Sequence, residues 1–218
     1  CEVEKLDYIS SVQEIIKIKP RIACFVVYGQ QPSASSQNME GAIATSEELK
    51  LSDPEIKILF VGGHVSALPK ETLTTEKSID FIALNEGVYA ISNLLKVENL
   101  NEETYLKKIK GIGFRNKENK IVINESEIIV PKKLLDIDLP GIAWDLLPSL
   151  KKYRTAGWHS WSNNSDKQPF AALYTSLGCP YTCSFCMINI INRTNSSENI
   201  SSQDSNIFRW WTPEFIIK

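Results

Sequence analysis

The sequence lacks an excess of charge of either sign. Its 218 residues carry 24 Lys and Arg against 26 Asp and Glu, a formal net charge of -2. Proteins that bind nucleic acid or anionic membranes electrostatically usually carry a basic excess, so the composition predicts no such partner. With 43% hydrophobic and 23% charged residues, the chain has the composition of a folded globular protein and not of a disordered or disulfide-dense one.

A membrane-spanning segment and a targeting signal are also missing from the sequence. The uncharged run over residues 170–192 is long enough to cross a bilayer. However, it contains Gly178, Pro180, three cysteines and several Ser, Thr and Asn residues, which are costly in lipid. The chain opens with Cys-Glu-Val-Glu-Lys, without an initiator Met or an apolar signal region. We expect no transmembrane segment, and we expect the chain to start within a longer protein.

Cysteine is scarce and odd in number, which argues against a disulfide framework. The five cysteines are Cys1, Cys24, Cys179, Cys183 and Cys186. Three of them lie within eight residues, which is typical of a metal site in a reducing compartment. Several Asn-x-Ser/Thr triplets, such as the one at Asn163, would be glycan acceptors only in a secreted protein. We therefore expect a cytoplasmic protein.

The first hundred residues alternate between short apolar runs and amphipathic patterns, as parallel βα units do. The predicted strands are residues 21–28, 56–61 and 79–84. The predicted helices are residues 8–19, a segment ending near residue 51 and a segment through residue 95. We expect residues 1–100 to form a doubly wound, Rossmann-like α/β domain.

Three loops follow these predicted strands, over residues 29–36, 62–66 and 85–89. In open α/β sheets, ligands bind outside the carboxyl ends of the strands. Gly62 and Gly63 directly follow a strand, so the backbone there could approach a flat or anionic group closely. Paired glycines also occur in plain tight turns, and the pair by itself leaves both interpretations open.

The hydrophobic period changes from residue 110. Residues 111–115 and 120–124 flank a polar turn and predict an antiparallel hairpin. The following connector is rich in proline and tryptophan, and its aromatic residues more simply pack a linker than line a cavity. We expect residues 101–150 to form a hairpin extension and linker, and residues 151–218 to begin a second domain. Thr-Pro-Glu at residues 212–214 predicts the start of a helix.

Residues 170–177 are strand-like and run directly into Gly-Cys-Pro-Tyr-Thr-Cys-Ser-Phe-Cys. The spacing of Cys179, Cys183 and Cys186 lets one loop present three thiolates to a single iron–sulfur cluster, without a fourth local protein ligand. A structural zinc site normally needs four ligands, and His159 is the candidate for the fourth. Spacing alone favours a cluster with an open iron, with zinc and a structural or electron-transfer iron–sulfur loop as alternatives.

This Cys-x3-Cys-x2-Cys loop, with an aromatic residue before the last cysteine and a strand before the loop, resembles the radical S-adenosylmethionine (SAM) superfamily. The resemblance covers about residues 170–218. It implies a [4Fe-4S] cluster on Cys179, Cys183 and Cys186, SAM bound to the fourth iron, and contact of Phe185 with the adenine of SAM. It also implies that residues 151–218 are the truncated start of a partial (β/α) TIM-like barrel.

The upstream sequence resembles that of the cobalamin-binding radical SAM enzymes. The segments are Val-Val-Tyr-Gly-Gln-Gln, Phe-Val-Gly-Gly-His-Val-Ser-Ala-Leu-Pro and Asp-Phe-Ile-Ala-Leu-Asn-Glu-Gly. The resemblance implies that the three strand-end loops hold cobalamin. The candidate contacts are Gln30, Gln31, Gly62, Gly63, Glu86 and Gly87. The Asp-x-His-x-x-Gly loop of classical cobalamin proteins is not visible, and His64 is interpreted as structural or as a contact of the nucleotide tail, so the lower cobalt ligand is undetermined.

The combined resemblance implies a cobalamin-dependent radical SAM enzyme, with methyl transfer to an unactivated centre through a 5′-deoxyadenosyl radical and methylcobalamin as the leading reaction. Rearrangement or cyclisation with the same cofactors is an alternative. Two alternatives come from other classes. The chain could be a non-catalytic zinc or iron–sulfur module, or its first domain could be a receiver-like or nucleotide-binding α/β domain without cobalamin. The resemblance also implies a small-molecule or natural-product-like substrate and an external electron donor of the flavodoxin or ferredoxin type. We predict no catalytic side chain beyond the cluster ligands, and we expect this fragment to be inactive by itself.

Overall fold

The computed structural model of the chain describes residues 6–28, 35–155, 168–169, 171, 173–181, 188–191 and 208–217. Half of the ten predicted site residues lie within these ranges. The predicted site residues outside the described ranges are Gln30, Gln31, Cys183, Phe185 and Cys186. Within the described ranges, no helix is long and apolar enough to cross a membrane.

A five-stranded sheet forms the centre of the structure. Its strands are β1 (Ile22–Val27), β2 (Lys57–Gly62), β3 (Phe81–Ala83), β4 (Ile112–Arg115) and β5 (Ile121–Ile123). The strands lie side by side in sequence order. The first three are parallel, and β4 and β5 are antiparallel to their neighbours. The predicted α/β class is confirmed at this level, and the predicted hairpin forms the antiparallel edge of the same sheet.

Helices cover both faces of the sheet. The first four are α1 (Tyr8–Ile18), α2 (Ser35–Ser52), α3 (Gly63–Ala67) and α4 (Pro69–Thr75). They pack on one face, where residues such as Val12, Met39 and Leu73 meet Phe60 in one buried cluster. The other face is covered by α5 (Val88–Leu95) and α6 (Glu103–Leu106), which pack against Val61 and its neighbours in a second cluster.

The parallel strands show no reversal of order, which a doubly wound sheet normally has. Both parallel crossovers, from β1 to β2 and from β2 to β3, carry their helices on the same face, as right-handed connections in one direction require. The connection leaving β3 changes face, because α5 packs on the opposite side. The loops after β2 and β3 therefore diverge to opposite faces, which is the condition for a ligand-binding crevice in an open α/β sheet.

Local signals account for where these elements begin and end. The Asp7 side chain caps α1 by accepting a 2.7 Å hydrogen bond from the backbone N–H of Ser10. The helix ends at Lys19, whose left-handed φ of 50° precedes Pro20. Residues 58–62 of β2 are all buried, as expected for a strand that is covered on both faces.

Arg115 fastens the hairpin to α4. Its guanidinium donates hydrogen bonds to the backbone carbonyls of Leu73 at 3.1 Å, Glu76 at 2.5 Å and Ile79 at 2.5 Å. These carbonyls lie at the end of α4 and just beyond it, where backbone acceptors have no partner within the helix. The antiparallel edge is thus held to the parallel part of the sheet by side-chain contacts as well as by strand pairing.

The remainder of the described chain consists of short elements. The α-helices and strands are α7 (Leu135–Asp138), β6 (Arg154–Thr155), β7 (Gln168–Pro169), β8 (Ser176–Leu177), α8 (Ile188–Ile191), β9 (Arg209–Trp210) and α9 (Pro213–Ile216). Three single-turn 3-10 helices lie at Lys132–Leu134, Trp144–Leu146 and Leu150–Lys152. Of the strand predicted over residues 170–177, the described part is strand at β8 alone. The predicted helix start is confirmed, because Thr212 Oγ1 accepts from the backbone N–H of Phe215 and proline occupies the first turn. The predicted barrel stays a prediction.

We predict that Gly62→Ala destabilises the chain and that Gly41→Ala does not. A Cβ atom at Gly62 would lie 2.1 Å from the backbone oxygen of Val27, and the φ of Gly62 is 155°. We expect a loss of about 3 kcal/mol, the upper end of typical overpacking costs. Gly41 lies inside α2, where a Cβ atom would meet nothing within 4 Å, so alanine there should gain about 0.5–1 kcal/mol. Urea denaturation of both variants measures the difference, and equal stabilities would contradict the prediction.

Candidate functional site

Polar groups from the carboxyl ends of all three parallel strands meet at one edge of the sheet. Tyr28 follows β1, Ser66 lies in α3 after β2, and Asn85 follows β3. The hydroxyl of Tyr28 donates to the backbone oxygen of Asn85 at 3.0 Å. The backbone N–H of Asn85 donates to Ser66 Oγ at 2.9 Å. We call these residues, with Gly62, Gly63, Glu86 and Gly87, the strand-end site.

Asn85 carries a buried polar atom that the described residues do not satisfy. Asn85 is 3% exposed, and its φ of 58° places it in the left-handed region. Its side-chain Nδ2 has no hydrogen-bond partner within the described part of the chain. Burying an amide donor without an acceptor costs about 1–3 kcal/mol, so such an atom needs an explanation. A ligand with an acceptor group at this position would provide one.

A second polar chain connects α2 to α3. The buried hydroxyl of Ser35 donates to the backbone oxygen of Val27 at 2.5 Å and accepts from the backbone N–H of His64 at 3.1 Å. The imidazole Nδ1 of His64 lies 2.9 Å from the hydroxyl of Ser36. His64 therefore has hydrogen-bond partners at the start of α2, which agrees with its interpretation as a structural residue.

Two of the predicted glycines have a packing reason of their own. A side chain at Gly62 would collide with the backbone of β1 at Val27. Gly87 has a φ of 74°, and a Cβ there would lie 2.8 Å from the side chain of Val61. The way the chain packs on itself thus explains these glycines without a ligand, as the tight-turn interpretation requires.

The carboxylate of Glu86 forms a buried ion pair that the sequence does not suggest. Arg209 Nη2 lies 2.8 Å from Glu86 Oε2, and the side chains of Arg209 and Glu86 are 3% and 13% exposed, respectively. Val130 completes the arrangement. Its N–H donates to Glu86 Oε1, and its oxygen accepts from Arg209 Nη1 at 2.5 Å. The predicted cobalamin contact Glu86 is therefore already bonded to Arg209, which lies 123 residues away in sequence.

An apolar cluster adjoins this ion pair at Val130 and joins the same segments. Val130, Leu135 and Trp211 form its buried centre, and side chains from α5, β8 and α9 pack against them. At its rim, the Tyr89 hydroxyl donates to Asp138 Oδ2 at 2.5 Å. Partial burial, followed by this hydrogen bond, raises the pKa of Tyr89 to about 12, so Tyr89 remains a neutral donor at physiological pH. We call the ion pair, Val130 and this cluster the junction.

We call residues 179–186 the cysteine segment. Its described flanks lie beside the strand-end site. Cys179 is a half-buried free thiol that follows β8 after Gly178, and Leu177 of β8 packs in the junction. Beyond Cys186, α8 packs against α3, which begins at Gly63. Within the described ranges, no group of three or more candidate ligands could hold a metal ion. Because Cys183 and Cys186 lie outside those ranges, the predicted cluster remains a prediction.

Comparisons with known proteins find a distant relative in sequence and a weak match in structure. No family model matches the chain. An uncharacterized methyltransferase of Pyrococcus horikoshii is 29% identical over 154 residues, a match that covers 71% of this chain and 30% of that protein. The chain therefore spans less than a third of this relative's length. The structure of the cobalamin-dependent SAM radical enzyme OxsB, with aqua-cobalamin and SAM bound, matches 59% of this chain and 17% of that chain, at 16% identity and a TM-score of 0.41.

We predict that Ser66→Ala destabilises the chain by about 1–3 kcal/mol, because it leaves the buried N–H of Asn85 without its acceptor. Ser36→Ala is the matched control, since the Ser36 hydroxyl bonds an imidazole at an exposed position. We expect the control to change stability by no more than about 0.5 kcal/mol. Denaturant unfolding of both variants provides the measurement, and a Ser66→Ala protein as stable as the parent would contradict the prediction.

Proposed function

We propose that this chain is part of a cobalamin-dependent radical SAM methyltransferase. In this proposal the strand-end site binds cobalamin and the cysteine segment binds a [4Fe-4S] cluster. One observation carries the proposal. The flanks of the cysteine segment lie against the strand-end site, β8 through the junction at Glu86 and α8 through its packing on α3.

This placement supports a site that uses two cofactors together. The loops after β2 and β3 diverge to opposite faces of the sheet and open its carboxyl edge to a ligand. The flanks of a segment with three cysteines approach the same edge. A structural metal loop has no need of that location, whereas two cofactors that act on one substrate must lie close to each other.

The residues of the strand-end site fit a ligand that is rich in hydrogen-bond acceptors. The unsatisfied Nδ2 of Asn85 is a buried donor, and the side-chain amides and phosphate of cobalamin offer acceptors. The proposed contacts are Asn85 together with the predicted residues Gln30, Gln31, Gly62, Gly63, Glu86 and Gly87. For Glu86 we propose contact through the backbone, because its carboxylate is bonded to Arg209 and Val130.

The donor set of the cysteine segment fits an iron–sulfur cluster with one open iron. Three thiols at this spacing suit one cuboidal cluster, and Cys179 is free and half-buried at the end of β8. In the proposal, Cys179, Cys183 and Cys186 would hold the cluster, SAM would bind at its open iron, and Phe185 would contact the adenine of SAM. We propose no fourth protein ligand.

When bound, the cluster with SAM supplies radical chemistry and cobalamin supplies the methyl group, so the demanding chemistry belongs to the cofactors. The role of the chain's own residues is to hold and orient the cofactors. The thiolates would hold the cluster, and the loops after β1, β2 and β3 would orient the corrin. We assign no general acid or base to any side chain.

The similarity to a protein named as a methyltransferase supports methyl transfer over the other reactions considered. Because the match covers 30% of that relative, the activity of the whole enzyme belongs to the proposal. So do a small-molecule substrate, an external electron donor of the flavodoxin or ferredoxin type, and a cytoplasmic location.

The cluster assignment predicts that Cys179→Ala prevents cluster assembly, because two thiolates and no other local ligand would remain. The measurement is the iron and sulfide content of the protein after anaerobic reconstitution, with the EPR spectrum of the reduced cluster before and after SAM is added. Cys24→Ala, at an exposed cysteine in β1, is the control and should assemble a full cluster. Zinc in place of iron, or a cluster spectrum that SAM leaves unchanged, would refute the assignment.

The cobalamin assignment predicts that Asn85→Gly weakens retention of hydroxocobalamin about fivefold, the equivalent of one hydrogen bond of about 1 kcal/mol. Glycine keeps the left-handed backbone and removes only the amide. The matched control is Asn119→Gly, at an exposed turn residue with nearly the same φ of 60°, which should leave retention unchanged. Corrin absorbance that co-elutes with the protein in gel filtration is the readout. A parent protein that retains no corrin would contradict the assignment.

A further inference from the structure

We propose that Glu86 and Arg209 are positioning residues that hold the start of the cysteine segment at one fixed place relative to the strand-end site. The purpose of this device rests on the proposed function, since two cofactors need a defined separation. The device itself is a property of the chain, and it can be tested without either cofactor.

The ion pair connects three parts of the chain at one point. Glu86 belongs to the loop after β3, Val130 to the connector, and Arg209 to β9. Both backbone polar groups of Val130 are bonded to the pair, the N–H to Glu86 and the oxygen to Arg209. A guanidinium bonded at two nitrogens is restricted in direction as well as in distance, so the pair fixes the orientation of β9 on the loop.

The orientation of β9 determines where the cysteine segment begins, because β9 pairs with β8 and β8 leads into Cys179. Arg209 is the strand partner of Leu177 in β8, and only Gly178 separates Leu177 from Cys179. The backbone of Gly178 has a φ of 79°, a left-handed turn that sets the direction in which Cys179 leaves the strand. A shift of Arg209 relative to Glu86 would therefore move the first thiol.

The Glu86 side of the ion pair restrains the loop after β3, which belongs to the strand-end site. Glu86 lies between two left-handed residues, Asn85 with a φ of 58° and Gly87 with a φ of 74°. The peptide that Asn85 shares with Glu86 is thus part of a sharply folded loop. The same loop carries the unsatisfied Nδ2 of Asn85, the atom that we assign to ligand contact. One ion pair therefore links the first cysteine to the proposed cobalamin contact.

Stability alone does not account for an ion pair in this position. The apolar residues of the junction already pack β8 and α9 against α5. Burying two charges costs desolvation energy that their attraction roughly repays, so apolar residues of similar size would hold the segments about as well. What apolar residues lack is directionality. We infer that the pair contributes a defined geometry, which packing alone would leave loose.

The test measures a distance by double electron–electron resonance in the chain without cofactors. Spin labels are placed at Tyr181→Cys, after the first cysteine, and at Glu47→Cys, an exposed position in α2, with the five native cysteines replaced by serine. We expect one narrow distance distribution for this parent. In the double variant Glu86→Gln with Arg209→Met, which leaves no unpaired buried charge, we expect the width to at least double.

Two further variants separate positioning from loss of stability. Lys50→Met breaks the Lys50–Asp80 pair, a 2.7 Å ion pair with side chains 21% and 24% exposed at the opposite edge of the sheet, and it should leave the width unchanged. Arg209→Lys keeps the positive charge but lacks the planar set of N–H donors of a guanidinium. It should preserve the fold and give a distance distribution of intermediate width. Widths equal to that of the parent in both the double variant and Arg209→Lys would overturn the positioning role.

The outcome is independent of the proposed function. Cofactor binding is measured separately, on the chain with its native cysteines. A narrow distribution in the spin-labelled parent and wider ones in the junction variants, together with a native-cysteine chain that binds neither cobalamin nor a cluster, would refute the proposed function and uphold the positioning role. If the chain binds both cofactors but the junction variants keep the parental distance width, the proposed function is upheld and the positioning role is refuted.

Discussion

The buried charge of Arg209 is the constraint on which the arrangement of the described segments depends. A guanidinium that is 3% exposed must find acceptors within the protein, and it finds them on Glu86 and Val130. These acceptors come from the loop after β3 and from the connector. The last described segment thus bonds its charge at the carboxyl ends of the strands. Through its pairing with β9, β8 lies there with it.

The order in which the connecting helices pack on the two faces of the sheet determines the shape of this edge. Crossovers in one direction place α2, α3 and α4 on a single face, and the chain changes face only after β3. The loop after β3 is consequently the one that turns away from its neighbours, with left-handed residues on either side of Glu86. In that turn the Glu86 carboxylate bonds Arg209, and the buried Asn85 is held by Tyr28 and Ser66 through its backbone oxygen and N–H.

The strands and helices could be predicted because their signals are local. The apolar run of β2, the Asp7 cap of α1 and the Thr212 cap of α9 each lie within a few residues of the element that they define. The site could not be predicted in this way, because its contacts join residues that are distant in sequence. Glu86 and Arg209 are 123 residues apart, and no periodicity or cap pairs them. Likewise, among the described residues of the strand expected over 170–177, the strand is present at β8, where the pairing with β9 is a tertiary contact.

Glu86 and Asn85 show what separates an anchoring residue from a ligand contact in a strand-end loop. Both are polar, adjacent and largely buried, and a sequence alone gives a carboxylate the stronger claim to a binding role. The hydrogen bonds of the two side chains differ. The Glu86 carboxylate is satisfied by Arg209 and Val130, whereas the Asn85 amide is not satisfied by any described residue. Since an unmet buried donor costs about 1–3 kcal/mol, the unsatisfied amide is the reason that the proposal assigns ligand contact to Asn85, and the bonded carboxylate is the reason that it assigns Glu86 to holding the loop.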